Sequence, residues 1–219
     1  MECIEELHGQ SVVCALLARA LLREADKAWL DTLVRERVFE ELPFAAGQPD
    51  ARAGIALLAD WSAIHAGGTA DDVVSTLRND YNRLFVGPAK LLAAPWESVY
   101  MDRERVLFQP VTLAVRNSYE RFGVARAGEF NEPEDHVGLE LSFIAHLASL
   151  ALAAHRRGDA ETFETLVKAR DEFVHNHPRR WVPNWQRDVE KHADTDFYRG
   201  VARLARGVVK ALENAARRS

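Results

Sequence analysis

Apolar residues recur at three- and four-residue spacing along nearly the whole chain, the period of an amphipathic helix rather than a strand. The clearest case is "TADDVVSTLRNDYNRLFVGP", residues 69–88, where Val73, Leu77, Tyr81 and Leu84 follow in register with Phe85 alongside. Thr69 is placed to cap that helix, Asp71 and Asp72 suit its first turn, and Gly87 with Pro88 ends it. Upstream, "CIEELHGQSVVCALLARALL" reads as one helix or as two joined near Gly9. "ADKAWLDTLVRERVFEEL" sets Trp29, Leu33 and Val34 on one face before Pro43, Gly47 and Pro49 break the chain. "DARAGIALLADWSAI" predicts a further helix closed by Gly67 and Gly68. After an aperiodic loop, "AKLLAAPWES", the period returns in "RERVLFQPVTLAVRNSYERFG", which Gly123 stops. An apolar helix to about His155 follows, then "DAETFETLVKARDEFVHNH" and "WVPNWQRDVEKH". The last helix carries Phe197, Val201, Leu204 and Val208 as its inward stripe.

No alternating strand run, fixed-period repeat or low-complexity linker interrupts this pattern. The expectation is one all-α domain over residues 1–219, built from roughly ten helices. The segment 139–154 is apolar all round and predicts a central helix enclosed by the others. Interrupted by Glu140 and His146, it reads as too short to span a bilayer, so no stable membrane insertion is expected. A net charge of −5, from 28 basic and 33 acidic residues, argues against a nucleic-acid partner but permits a local acidic patch for a basic one. Cys3 and Cys14 match no zinc, redox or disulfide spacing. The acidic start "MECIEELHGQ" lacks the basic region of a secretory signal, and the expected location is cytoplasmic.

Candidate chemistry concentrates in "NEPEDHVGLEL", residues 131–141, where Glu132, Glu134, Asp135 and His136 crowd ahead of the apolar helix. No phosphate-binding glycine loop or nucleophile elbow is present, so neither a nucleotide cofactor nor catalysis is expected. His136 and Glu140, four apart, would share a helix face, but "HExxH" and paired "CxxC" are missing and no metal is expected. Two readings of the acids stand side by side. Asn131 can cap the helix with Pro133 and the acids in its first turn, or the same acids can in addition receive an incoming cation. "PWESVY", residues 95–100, is open in the same way: Trp96 is a plug of the core or an aromatic anchor for an apolar peptide. Leu77, Tyr81, Leu84 and Phe85 read as core by default.

In order and spacing, "YNRLFVGP", "APWESVYMDRERVLF" and "NEPEDHVGLEL" resemble the TorD/DmsD family of redox-enzyme maturation chaperones, most of all its DmsD branch. The match runs over about 81–141, and the ending "FYRGVARLARGVV" also fits. The resemblance implies a helical, non-enzymatic protein without cofactor, a monomer or domain-swapped dimer. It would bind the twin-arginine leader of a molybdenum-containing oxidoreductase catalytic subunit and hold that precursor until cofactor loading and export. The leader-binding set it implies falls on Trp96, on Tyr81, Leu84 and Phe85, and on Asp135 and His136, with Pro95 and Glu132 beside them. Ala94 stands where the family commonly has a first proline. The charges fit that task, because carboxylates pair guanidinium groups strongly and an aromatic groove suits the apolar run behind them. The alternative is an accessory protein that delivers a metal or molybdenum cofactor to a cytosolic metalloenzyme.

Overall fold

The computed structural model describes residues 4–40, 42, 44–87, 91–101, 110–124 and 132–217. It contains the ten helices α1 Ile4–Leu22, α2 Lys27–Arg35, α3 Pro49–Ile64, α4 Asp71–Tyr81, α5 Glu97–Met101, α6 Pro110–Arg121, α7 Val137–Arg156, α8 Ala160–Asn176, α9 Pro178–His192 and α10 Asp196–Ala216. The only β pairing among the described residues is an isolated antiparallel bridge between Trp96 and His136. The expected all-α architecture is therefore what the chain adopts.

Two helices organise the packing. Helix α7 lies between α1 and α8, and α10 lies between α3 and α9. In α1, Val13, Leu17 and Leu21 recur every four residues and are buried, and the helix runs through Gly9 without a joint. In α10, Phe197, Val201, Leu204 and Val208 are all buried, the stripe the period predicts. Helices α3 and α10 approach so closely that a Cβ on Gly207 would lie 2.3 Å from the Ala51 nitrogen, and one on Gly54 2.5 Å from the Leu204 nitrogen. Small residues at this crossing are what let the two backbones meet.

Several boundaries differ from the sequence reading. Helix α2 is capped by Asp26, whose carboxylate accepts the Trp29 N–H, and it stops at Arg35. The chain then turns through a left-handed Arg37 (φ 50°), which ends the helical path well before Leu42. Thr69 does not cap α4. Its amide and hydroxyl both donate to Asp31 Oδ1, at 2.7 and 2.6 Å, so it ties α2 to the α3–α4 connection while Ala70 occupies the cap position. Asp71 and Asp72 stand in the first turn as expected. Past Tyr81 the helix widens into a π turn, Asn82–Val86, which Gly87 ends with φ 95°. Pro43, Pro88 and Asn131 lie outside the described residues.

Helix α7 is longer than the 139–154 stretch, because it starts at Val137 and continues to Arg156. By length and composition it is, unlike the shorter stretch, long and apolar enough to cross a membrane, and two thirds of its most apolar window is buried inside the bundle. It is not enclosed all round. Ser142, His146 and Ser149 form one exposed stripe at helical spacing, and Ser149 shares a hydrogen bond with Ser11 of α1 at 2.8 Å.

Candidate functional site

The "PWESVY" loop and the "NEPEDHV" turn meet edge to edge. The Pro95 carbonyl accepts the Val137 N–H at 2.8 Å, and the Glu97 N–H donates to the Asp135 carbonyl at 2.9 Å. Asp135 Oδ2 then accepts the Ser98 N–H at 2.8 Å, so one residue binds two successive amides of the start of α5. Proline fits position 95 because its missing N–H is not needed and its carbonyl is the group used. The His136 N–H closes a turn onto the Pro133 carbonyl at 3.1 Å, and this turn delivers the chain into α7.

That turn overturns the capping expectation. The N-cap of α7 is His136, whose Nδ1 accepts the Gly138 N–H at 3.0 Å. Because Nδ1 is an acceptor, the ring is the neutral tautomer with its proton on Nε2. Burial holds its pKa down, at about 3 against the usual 6.5. Glu132, Glu134 and Asp135 stand ahead of the helix, not in its first turn, and the first-turn acid is the buried Glu140. With His136 outside the helix, the His136–Glu140 face does not form, and among the described residues no group of three or more ligating side chains converges for a metal.

The acids divide by depth. Glu132 is half-buried and accepts the Trp96 indole N–H at 3.2 Å; the Trp96 ring, itself half-buried, stands edge-on to His136 at 6.3 Å. Glu134 takes Arg116 Nε at 2.8 Å through Oε1, and its backbone carbonyl accepts the Tyr119 hydroxyl at 2.9 Å. Asp135 is fully buried, and its Oδ1 meets no donor among the described residues. Trp96 and Glu132 therefore form the partly exposed edge, or mouth, of this candidate site, with the buried Asp135 and His136 next to them.

Tyr81, Leu84 and Phe85 lie in the core, at 6, 0 and 4% exposure. The Tyr81 hydroxyl donates to the Leu21 carbonyl at 3.0 Å, and burial, followed by the charge of Glu132, raises its pKa. Phe85 packs edge-on against Tyr81 and Tyr198 and beside Trp185. These residues reach the loop from beneath, through the Ala93 N–H that donates to the Leu84 carbonyl at 3.1 Å. The structure thus brings Pro95, Trp96, Glu132, Asp135 and His136 together and places the other three as support under them.

Sequence reasoning missed the polar contacts behind the mouth. Glu97 Oε2 bonds His177 Nδ1 at 2.8 Å, and Glu140 Oε2 accepts the Trp181 indole N–H at 3.1 Å. Tyr100 stacks on Trp181 at 5.6 Å and donates to Asp188 at 3.0 Å, fastening α5 to α9. The one local signal was a glutamate inside an apolar run, "VGLELSF"; Glu97 and His177 are 80 positions apart, and nothing in either neighbourhood announces the pair.

Comparison with known proteins gives the family of the chain. Residues 45–187 match the nitrate reductase delta subunit family. Over 133 residues, 61% of the chain and 60% of the relative, it is 28% identical to the chaperone protein TorD of Aliivibrio salmonicida. Over 137 residues (63% and 59%) it is 31% identical to a probable Tat proofreading chaperone DmsD of Haemophilus influenzae. Over 131 residues (60% and 57%) it is 36% identical to the Tat proofreading chaperone DmsD of Salmonella typhi. The chain spans about 60% of the length of these curated relatives. With the family match running over well more than half its length and taking in the PW loop and the acidic turn, the chain belongs to the nitrate reductase delta subunit family, that of the TorD and DmsD chaperones.

Proposed function

We propose that this protein is a non-enzymatic, cytoplasmic chaperone that binds the twin-arginine leader of a molybdenum-containing oxidoreductase subunit and holds the precursor until its cofactor is loaded. The observation that carries this reading is the mouth itself: an indole ring and a carboxylate, Trp96 and Glu132, bonded to each other at 3.2 Å and both partly open to solvent. A guanidinium group is served by both, through a charge-assisted hydrogen bond to the carboxylate and by stacking on the ring. The apolar run behind the arginines then packs along the loop, whose position is fixed by the bridge to residues 135–137. Asp135 Oδ1 is the deeper acceptor, reached by an arginine only if the turn opens.

Family membership and the names of the relatives support the chaperone class. The family's own description names a nitrate reductase subunit, and the second reading is an accessory protein that delivers a metal or molybdenum cofactor to a cytosolic metalloenzyme. One experiment separates them. The tagged protein is used to capture precursors from its own cells, followed by mass spectrometry. A bound precursor with a twin-arginine leader supports the first reading, a leaderless metalloenzyme supports the second, and capture of neither removes both.

A further inference from the structure

Behind the mouth, the carboxyl groups of Glu97 on α5 and Glu140 on α7 lie within hydrogen-bonding reach of each other, both fully buried. Their outer oxygens are committed, Glu97 Oε2 to His177 and Glu140 Oε2 to Trp181. Their other oxygens, Glu97 Oε1 and Glu140 Oε1, find no donor among the described residues. Two neighbouring buried carboxyl groups, each with an oxygen that meets no donor, favour one shared proton, since a carboxylate only accepts and two like charges repel in a dry interior. We propose that Glu140, Glu97 and His177 form a proton-holding chain that positions the Trp96 loop on α7, so that leader binding at the mouth depends on whether the carboxyl pair keeps its proton. The proposal rests on the leader-binding reading above and adds a control to the same site.

The coupling is short and covalent. Glu97 follows Trp96 directly in the chain, and its own N–H makes the bridge to the Asp135 carbonyl. When the proton is present, it bridges α5 to α7 and the loop is docked. When it leaves, two like charges face each other in a dry interior, and the element free to yield is the five-residue α5 rather than the twenty-residue α7. The groups around the pair do not relieve this. Asp135 adds a third carboxylate from the turn, His136 is held neutral beside it, Tyr119 of α6 faces the same acids with its phenol pushed further toward the neutral form, and Trp181 of α9 offers one N–H. His177 contacts Glu97 rather than Glu140. Burial and then the Glu97 charge raise the pKa of Glu140 well above the ordinary carboxyl value, in line with a retained proton.

The test compares wild type with Glu140→Gln, which keeps an acceptor for Trp181, can donate to Glu97 and never ionises. First, NMR of carboxyl-labelled glutamate is followed with rising pH. One glutamate should remain protonated near neutrality in wild type, and that signal should be missing from the variant. Second, affinity for a synthetic twin-arginine leader is measured over the same range. Loss of one proton weakens wild-type binding by up to about tenfold per pH unit above the pair's midpoint, and the variant should hold the low-pH affinity throughout. Third, exchange of the Glu97 and Val137 amides should speed up with pH in wild type alone. The proposal is overturned by a fully ionised pair at neutral pH, or by parallel affinity and exchange profiles in the two proteins. If neither protein binds the leader at any pH, the leader-binding reading falls, while the carboxyl signal and amide exchange still decide whether the pair controls the loop. Should Glu140→Gln fail to fold, Glu97→Gln takes its place, and the wild-type titration needs no variant.

Discussion

His136 is a buried imidazole used as a helix cap, and its neutral form is built into the fold. Protonation would remove the acceptor that Gly138 N–H uses and leave a cation at a site only 3% exposed. In the unfolded chain the group titrates at about 6.5, and in the folded protein burial holds it at about 3. A folded pKa below the unfolded one contributes stability that is present above about pH 6.5 and lost as pH falls toward 3. At about pH 5 the unfolded state has gained most of a proton that the folded state refuses, a loss of about 2 kcal/mol from this residue. His136→Asn isolates that contribution, because asparagine is a strong N-cap and does not titrate. The variant should be less stable than wild type near pH 8, having lost the ring contact with Trp96 at 6.3 Å. By about pH 5 the gap should shrink or reverse by about 2 kcal/mol. Urea unfolding at several pH values, followed by far-UV circular dichroism, measures both curves, and groups common to the two proteins cancel in the difference. A gap constant to within about 0.5 kcal/mol between about pH 8 and 5 would show that His136 is not held neutral, and the reasoning about the turn would fail with it.

Three further outcomes follow from packing and buried polar contacts. Gly207→Ala forces a Cβ to 2.3 Å from the Ala51 nitrogen and should cost about 1–3 kcal/mol in urea unfolding, where Gly158→Ala, with open space around it, pays only the strain of its φ of 72°. Asp80 is buried and accepts from the Asp194 and Thr195 amides, the Thr195 hydroxyl and Arg83; Asp80→Ala leaves those donors unsatisfied and should cost about 3 kcal/mol or more, read as a lower urea midpoint. Cys14 is fully buried with its thiol pushed up to about 12, so a thiol reagent at neutral pH should leave it unmodified until the protein unfolds.

Period alone was enough to read the fold. The stripes of α4 and α10 are one-dimensional signals, and their residues point inward as their spacing says, except that at the start of α4 Val74 is buried and Val73 only half-buried. The three blocks of the site were legible too, and five of the eight residues assigned from them converge. What the sequence did not carry is the polar wiring between distant elements. Thr69 looks like a cap until Asp31, 38 positions away, takes both of its donors. Asn131 and the acids look like a helix start until a turn onto Pro133 hands the cap to His136, a residue that cap preferences rank low. Tyr81, Leu84 and Phe85 carry aromatic and aliphatic character equally suited to a groove or a core, and only the π turn with its aromatic neighbours settles where they sit.

The central claim is that Trp96 and Glu132 form the mouth that takes an arginine leader. Calorimetric titration of a twin-arginine leader into wild type, Trp96→Ala, Glu132→Gln and Asp135→Asn, at low and high salt, tests it most directly, with melting curves to confirm that each variant is folded. Trp96→Ala should lose about 2 kcal/mol of binding and keep the salt dependence of wild type. Glu132→Gln should lose about 1 kcal/mol and flatten that dependence, since the lost contact is a partly screened ion pair. Asp135→Asn should weaken binding at both salt levels, through a lost contact to arginine or a loosened loop. Wild type that gives no binding heat with the leader, or folded variants that all bind it as wild type does at both salt levels, would contradict the account.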